Sequence, residues 1–313
     1  MIVFGPVPSR RLGRSLGINN IPPKHCSYSC LYCQVGPTKA TEIQPCAFYK
    51  PEHVFNEVKE HVTKIESQGE SIDYLTFVPD GEPTLDVGLS KTIELVRRLG
   101  IKIAIISNAS LIWQKNVRET LKMADWVSLK VDSVDESIWR RINRPYEDLV
   151  LDNILSGMLA FAKDFEGILV TETMLLESIN TADDSISRLA DFLQKLSPDI
   201  AYLSVPTRPT ADRDVNAPGE EELNRIYQIV RQTIPNLELL TGYEGNAFAS
   251  TGNFTEDLLA ITSVHPMRKE AVLELLGKTQ SNWSVVQELL DSGRLRKIEY
   301  NGKSFYMRAY HQR

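Results

Sequence analysis

The stretch His25-Cys26-Ser27-Tyr28-Ser29-Cys30-Leu31-Tyr32-Cys33 gathers three of the chain's 4 cysteines, separated by three residues and then by two. Thiols packed this closely serve metal chemistry, because deprotonated sulfur is a strong soft-metal ligand. Two readings follow from the residues alone. A zinc ion would be closed by His25 or Cys46 as the fourth ligand. An iron-sulfur cluster held by Cys26, Cys30 and Cys33 would keep one iron open for another ligand. A structural zinc knuckle staples a small loop-rich unit, whereas a chain of 313 residues builds its own core without a staple. That favours the cluster.

The elements that must hold this loop are legible as alternation. Short aliphatic runs near 15–20, 72–78, 101–106, 125–131, 167–175 and 200–205, with a further one at 237–241, read as strands. Stripes such as Val54, Val58, Val62 and Ile65 read as helices between them. Repeated βα units of this kind predict an α/β fold: a partial (β/α) TIM-type barrel of six or seven parallel strands, with reactive groups on loops at the strands' carboxyl ends. An open doubly wound sheet is the competing topology. The expected division is a barrel over 1–250 and a winged-helix-like domain over 251–313. In the second part, three helical segments precede a hairpin whose strands, Leu295–Tyr300 and Ser304–Arg308, flank Asn301-Gly302.

Composition narrows the function classes. With 42% hydrophobic and 24% charged residues the chain is ordinary globular material, and its net charge of -6 argues against non-specific coating of nucleic acid. The cysteine count is too low for a secreted disulfide scaffold. No signal peptide is read at the N-terminus and no apolar run suits a membrane span, so a cytoplasmic protein without membrane partners is expected. Gly277-Lys278-Thr279 ends like a phosphate-binding loop, but Val272 stands where its first glycine belongs. The five histidines form no HExxH pair and no hydrolase triad.

Further groups fall at expected strand ends. Asp80-Gly81-Glu82-Pro83 follows the second strand, and Gly81 permits close backbone approach, although a plain turn explains the same residues. Ser107-Asn108 follows the third and offers hydroxyl and amide groups, or a helix cap. On the fourth, Ser128, Lys130 and Asp132 alternate onto one face, where an inward Lys130 needs a carboxylate. Cys46 is expected to be a buried free thiol.

With its C-x3-C-x-aromatic-C loop, Tyr32 in the aromatic position, the sequence resembles the radical S-adenosylmethionine (radical SAM) superfamily. The resemblance implies a [4Fe-4S] cluster on Cys26, Cys30 and Cys33. It also implies S-adenosylmethionine bound by Tyr32, by the Gly81-Glu82-Pro83 motif, by Ser107 and Asn108, and by the Ser128, Lys130, Asp132 face. Activating-type members carry an acid where this chain has Ser128, which weakens the transfer of role to that residue. The opening Gly5-Pro6-Val7-Pro8-Ser9-Arg10-Arg11-Leu12-Gly13-Arg14 looks like that of iron-sulfur oxidoreductases grouped with the tRNA wyosine-synthesis (4-demethylwyosine synthase) family. This chain departs from the wyosine synthases in having only Cys46 outside the main loop, too few for a second cluster.

The implied activity is reductive cleavage of S-adenosylmethionine to methionine and a 5′-deoxyadenosyl radical that takes hydrogen from a substrate. That needs an electron donor of reductase, ferredoxin or flavodoxin type. A tRNA base is the first expectation for the substrate, with Arg10, Arg11, Arg14, Arg208 and Tyr243 as substrate-binding candidates. A protein substrate, as for glycyl-radical activating enzymes, is the alternative. A metal-cluster winged-helix sensor that binds DNA is the rival from another class. Residues 251–313 hold nine basic against seven acidic side chains, too small a margin to mark a nucleic-acid reader.

Overall fold

The computed structural model describes residues 2–38, 40–212, 214–241, 250, 252–264, 266–300 and 302–309. The first strand, β1 (Val3–Ser9), turns back antiparallel onto β2 (Gly13–Ile18). Six more strands follow: β3 (Tyr74–Phe77), β4 (Lys102–Ser107), β5 (Trp126–Lys130), β6 (Ile168–Met174), β7 (Ile200–Ser204) and β8 (Leu237–Leu240). They lie side by side in sequence order, and every pair from β2 to β8 is parallel. The expected seven parallel strands are present, in an eight-stranded sheet whose described strands run from β1 to β8 without closing.

Strand β1 is the element that the sequence pattern hides. Pro6 and Pro8 interrupt it and cannot donate to a ladder, which restricts such a segment to an edge position or a bulge. It sits at the sheet edge, with a register shift between Phe4 and Val7.

Helices cross between the parallel strands: α1 (Pro51–Ser67), α2 (Leu89–Val96), α3 (Lys115–Leu121), α4 (Glu136–Asn143), α5 (Leu151–Asp164), α6 (Asp183–Leu196) and α7 (Glu220–Arg231). Pro51 opens α1 where its missing N–H costs nothing, and Val54, Val58, Val62 and Ile65 form its buried stripe. Those residues join Leu75, Phe77, Ile103, Ile105, Val127 and Leu129 in the main core, so these strand positions face the helices. The alternate positions, Ala104, Trp126, Val170 and Tyr202, cluster with Leu12 on the other, concave face. Ser128 and Lys130 share that face with Trp126 by strand alternation.

Beyond β8 come α8 (Phe254–Val264), the two-residue β9 (Met267–Arg268), α9 (Lys269–Lys278), α10 (Trp283–Asp291) and the hairpin β10 (Leu295–Tyr300) and β11 (Lys303–Arg308). Pro266 precedes β9, and β9 makes the hairpin a three-stranded sheet in the order β10-β11-β9. Gly277-Lys278-Thr279 lies at the end of α9, with no phosphate loop. This region has its own core, with Leu258, Val272, Leu275, Val286 and Tyr306, and Val7 of β1 packs against it. No helix among the described residues is long and apolar enough to cross a membrane.

Candidate active site

The cysteine loop lies beyond the carboxyl end of β2 and hangs from the last turn of α4. Ser29 and Leu31 donate their backbone N–H groups to the carbonyls of Asn143 and Ile142, at 3.0 and 2.9 Å. Trp139 Nε1 donates to Tyr28 Oη at 3.3 Å, and Ser27 Oγ is hydrogen-bonded to Ser110 Oγ at 2.5 Å. Tyr28 and Ser27 are buried, so these contacts fix the loop from beneath.

Each of the three sulfurs has a donor. Asn108 Nδ2 lies 3.6 Å from Cys26 Sγ, and Asn143 Nδ2 lies 3.4 Å from Cys30 Sγ. Cys33 accepts from the backbone N–H groups of Val35 and Gly36 and has the Lys24 ammonium beside it. Burial pushes all three thiols up, Cys30 to about 12 with Asp132 adding to the effect, while Lys24 pulls Cys33 the other way. The N–H donors favour the thiolate form, and a cationic iron-sulfur core would supply the missing charge. The donor set therefore fits a sulfur-ligated cluster. Among the described residues no three His, Cys, Asp or Glu side chains converge as a group that could hold a single metal ion.

The neighbouring loops are tied to one another. Glu82 is buried, and its carboxylate accepts from Thr84 N and Thr84 Oγ1, from Ser107 Oγ at 2.8 Å and from Asn108 N at 2.7 Å. It braces the β3 and β4 loops, so its side chain is spent internally, as is the Ser107 hydroxyl, which also accepts from Ala109 N. Asn108 Nδ2 reaches Ser27 Oγ at 2.9 Å, and its Oδ1 caps Ser110 N. Pro83 gives its carbonyl to Asn20 Nδ2 at 3.1 Å. A Cβ on Gly81 would stand 1.9 Å from the His25 carbonyl oxygen, so glycine is required where this loop meets the cysteine loop.

On the concave face, Lys130 Nζ lies 3.4 Å from Glu172 Oε1, 3.6 Å from Asp132 Oδ1 and 4.8 Å from the Tyr32 ring centroid. The carboxylate expected for Lys130 is thus supplied by the protein itself. Asp132 also accepts from Met174 N at 2.9 Å, from Asn143 Nδ2 at 2.7 Å and from the Tyr32 hydroxyl. Ser128 is fully buried and its hydroxyl makes no hydrogen bond.

Glu172 is the residue sequence reasoning missed. Arg11 Nη1 meets its Oε2 at 2.5 Å, and the same guanidinium lies 6.0 and 5.8 Å from the Trp126 and Tyr202 ring centroids. Burial alone would raise the Glu172 carboxyl, but Lys130, Arg11 and the Ser204 hydroxyl hold it down at about 2. The signal was an acid two residues from Val170 on an otherwise apolar face. Asn143 was missed as well, since a helix-end asparagine reads as a cap.

The arginine expectations divide. The β1–β2 turn carries Arg10 and Arg11, and Arg14 follows at the start of β2, at the amino ends of the parallel strands, opposite the cysteine loop. Arg10 is exposed there, Arg14 pairs with Glu70, and Arg11 is committed to Glu172 inside the sheet. This turn thus stands apart from the cysteine loop, and the expected substrate role of its arginines stays a separate question from the cluster site. Arg208 lies at the other end and donates to Gln34 Oε1, next to Cys33, at 3.1 Å. Tyr243 falls outside the described residues. Cys46 is exposed rather than buried, although its backbone bridges to the buried Asp86. His25 pairs with Glu42.

A mostly parallel α/β sheet with three cysteines on the loop after its first parallel strand defines a class. Residues 20–193 match the family model described as the Radical SAM superfamily, more than half of the chain, and the protein belongs to that superfamily of enzymes. Its members use a [4Fe-4S] cluster and S-adenosylmethionine. Within it, the UPF0026 protein of Methanocaldococcus jannaschii is 51% identical over 98% of this chain and 96% of its own length. A UPF0026 protein of Helicobacter pylori is 32% identical over 86% of each chain. Among solved structures, TYW1 with a lysine-pyruvate adduct bound superposes with a TM-score of 0.55 at 17% identity, over 71% of this chain and 74% of that one, a likeness of fold.

Proposed function

We propose that Cys26, Cys30 and Cys33 hold the [4Fe-4S] cluster and that S-adenosylmethionine is bound beside it, between the cysteine loop and the carboxyl ends of β3 to β5. The observation that carries this reading is the set of three half-buried cysteines on one loop, the sulfur of each with an N–H donor. When reduced by a ferredoxin, flavodoxin or reductase partner, the bound cluster supplies the electron that cleaves S-adenosylmethionine to methionine and a 5′-deoxyadenosyl radical. Hydrogen abstraction from a substrate carbon follows.

The chain's own residues do the positioning. Asn108 and Asn143 direct N–H groups at Cys26 and Cys30 and so favour their thiolates. Glu82 keeps Asn108 in place through its backbone, and Gly81 lets the β3 loop touch the cysteine loop. Tyr32 is held by Asp132 with its ring beneath Lys130, which offers a flat apolar surface next to Cys33. The side chains of Glu82, Ser107 and Asp132 act in this reading as supports, and Ser128 is the one hydroxyl of the original cofactor set left open by its neighbours.

For the substrate, the reading is an RNA base, with 251–313 acting as a winged-helix recruiting domain. Its support is the three-helix and hairpin order of that region and the exposed Arg294, Arg296, Lys297 and Lys303 on the hairpin. Anaerobic reconstitution tests the core of the proposal. About four irons and four sulfides per chain are expected, with 5′-deoxyadenosine formed on reduction in the presence of S-adenosylmethionine. Stoichiometric zinc without iron would overturn it.

A further inference from the structure

The segment that leaves α4 runs antiparallel to the cysteine loop. Besides the Ser29 and Leu31 bonds to the Asn143 and Ile142 carbonyls, Tyr146 N donates to the Ser27 carbonyl at 2.8 Å, and Tyr28 and Pro145 pair as in an antiparallel ladder. The carbonyls of a helix's last turn have no partner within the helix, so here they hold the loop instead. This ribbon fixes the buried Asn143 side chain between the Asp132 carboxylate and the Cys30 sulfur. Its Nδ2 lies 2.7 Å from Asp132 Oδ2, and 3.4 Å from both Cys30 Sγ and Tyr32 Oη. An amide nitrogen carries two hydrogens: one meets the carboxylate, which leaves the other for the sulfur and the phenol oxygen. Asp132 in turn lies 3.6 Å from Lys130 Nζ, so the chain of buried charges that starts at Arg11 reaches the sulfur through Asn143.

We propose that Asn143 is a positioning residue that sets the reduction potential of the cluster at Cys30, because its amide keeps the Asp132 carboxylate off the sulfur and gives that sulfur an N–H. The inference rests on the cluster reading above and adds to it the residue that governs how readily the electron is accepted. Reduction adds one electron from the external donor, breaks no bond in the protein and moves no proton, and the added negative charge falls partly on the thiolate ligands. An N–H aimed at such a ligand favours the reduced form, and a carboxylate in the same place opposes it. Asn108 is a weaker counterpart, since its Nδ2 stands 3.6 Å from Cys26 Sγ and nearer, at 2.9 Å, to Ser27 Oγ. Cys33 takes its N–H groups from the backbone of Val35 and Gly36, which no side-chain change removes.

Redox titration of the reconstituted protein with dithionite, without S-adenosylmethionine, tests this when followed by electron paramagnetic resonance of the reduced cluster. Asn143→Leu removes the N–H at nearly constant size. At a fixed applied potential its ratio of reduced to oxidised cluster is expected to fall about tenfold, a shift of about 59 mV to lower potential for one electron. The exchanged pair D132N/N143D keeps the charge and a hydrogen bond between the two positions but leaves no N–H for Cys30, so it should show a fall at least as large. A purely structural role predicts instead that the exchange restores the wild-type value. Tyr32→Phe, which keeps the contact between Asn143 and Cys30, should shift the ratio far less. A wild-type potential in either loaded Asn143 variant, or an equal shift in Tyr32→Phe, would overturn the proposal. So would loss of iron from both Asn143 variants, which would assign the residue to assembly or folding. Absence of iron from the wild type itself is the separate outcome that sinks the cluster reading.

Discussion

The two ends of the strand fan bury polar groups by opposite means. Inside the fan, reached from its amino end, Arg11 meets Glu172 and Glu172 meets Lys130, so each buried charge has an opposite one within the protein. At the carboxyl end, the three cysteine sulfurs of one loop each have an N–H donor, and burial pushes their thiols up. The first arrangement is electrostatically closed, and it reaches through Lys130 to the Tyr32 ring of the cysteine loop. The second is open, and it is the part that a metal cluster would complete. Substitutions should therefore separate the two ends: one set costs stability and the other costs the metal.

The largest effect is expected at the open end. Cys26→Ala, Cys30→Ala and Cys33→Ala should each reduce iron from about four per chain to nearly none, because three thiolates are the minimum that holds the cluster with one iron open. The folded apoprotein should persist by circular dichroism. Cys46→Ala, on the surface near Asp86, should leave iron unchanged. Retention of the cluster in any of the three first variants would remove that cysteine from the ligand set.

At the closed end, Glu172→Gln should cost roughly 3 to 5 kcal/mol in denaturant unfolding, the range for breaking a buried pair and stranding its partners. Acid should act on the same carboxyl. Its folded pKa of about 2 lies below the ordinary value. The stability it contributes is therefore complete above its unfolded pKa of about 4.3 and is lost as pH falls through about 2. The loss across that window should be on the order of 3 kcal/mol, and Glu172→Gln should flatten it. An unchanged acid profile in the variant would assign the acid sensitivity to other carboxyls.

The difference between the two ends also explains what could be read in advance. Seven parallel strands, the helices between them and the cysteine loop were legible because aliphatic runs, 3.6-residue stripes and clustered thiols are local signals. Strand β1 was not, since Pro6 and Pro8 argue against a strand until the edge position is known. Lys130 was recognised as an inward lysine in need of a carboxylate, but the partner lies 42 residues away on β6. Glu82 looked like part of a cofactor motif, and its four hydrogen bonds to the β3 and β4 loops depend on tertiary contacts that spacing cannot encode. The three-stranded C-terminal sheet was read as a hairpin because β9 has only two residues.

A subtler probe joins the two ends. Gly81→Ala adds a methyl group where 1.9 Å separates its Cβ from the His25 carbonyl oxygen. Backbone has to move, at roughly 1 to 3 kcal/mol for overpacking. Because the neighbour is the residue before Cys26, iron content should fall along with stability, a combination expected of neither Glu172→Gln nor Cys46→Ala. Full iron with reduced stability would mean that the β3 loop yields and the cysteine loop does not.

The smallest effect sharpens the comparison within a single turn. Arg11 and Arg14 are three residues apart, yet Arg11 ends among Trp126, Tyr202 and Glu172, whereas Arg14 pairs with Glu70 at the surface, with 41% of its side chain exposed. An exposed pair is worth about 0 to 1 kcal/mol, and the turn keeps its backbone anchor, the Arg14 N–H donating to Asp73 Oδ2 at 2.7 Å, whatever the side chain. Arg14→Ala should thus shift unfolding by less than about 1 kcal/mol, while Arg11→Ala, which leaves Glu172 with Lys130 and the Ser204 hydroxyl, should cost several times more. Both variants should bind S-adenosylmethionine and release 5′-deoxyadenosine in the absence of substrate as the wild type does, since the turn lies opposite the cysteine loop. A drop in S-adenosylmethionine affinity for Arg14→Ala with unchanged stability would return this turn to the binding site and undo the separation of the two ends.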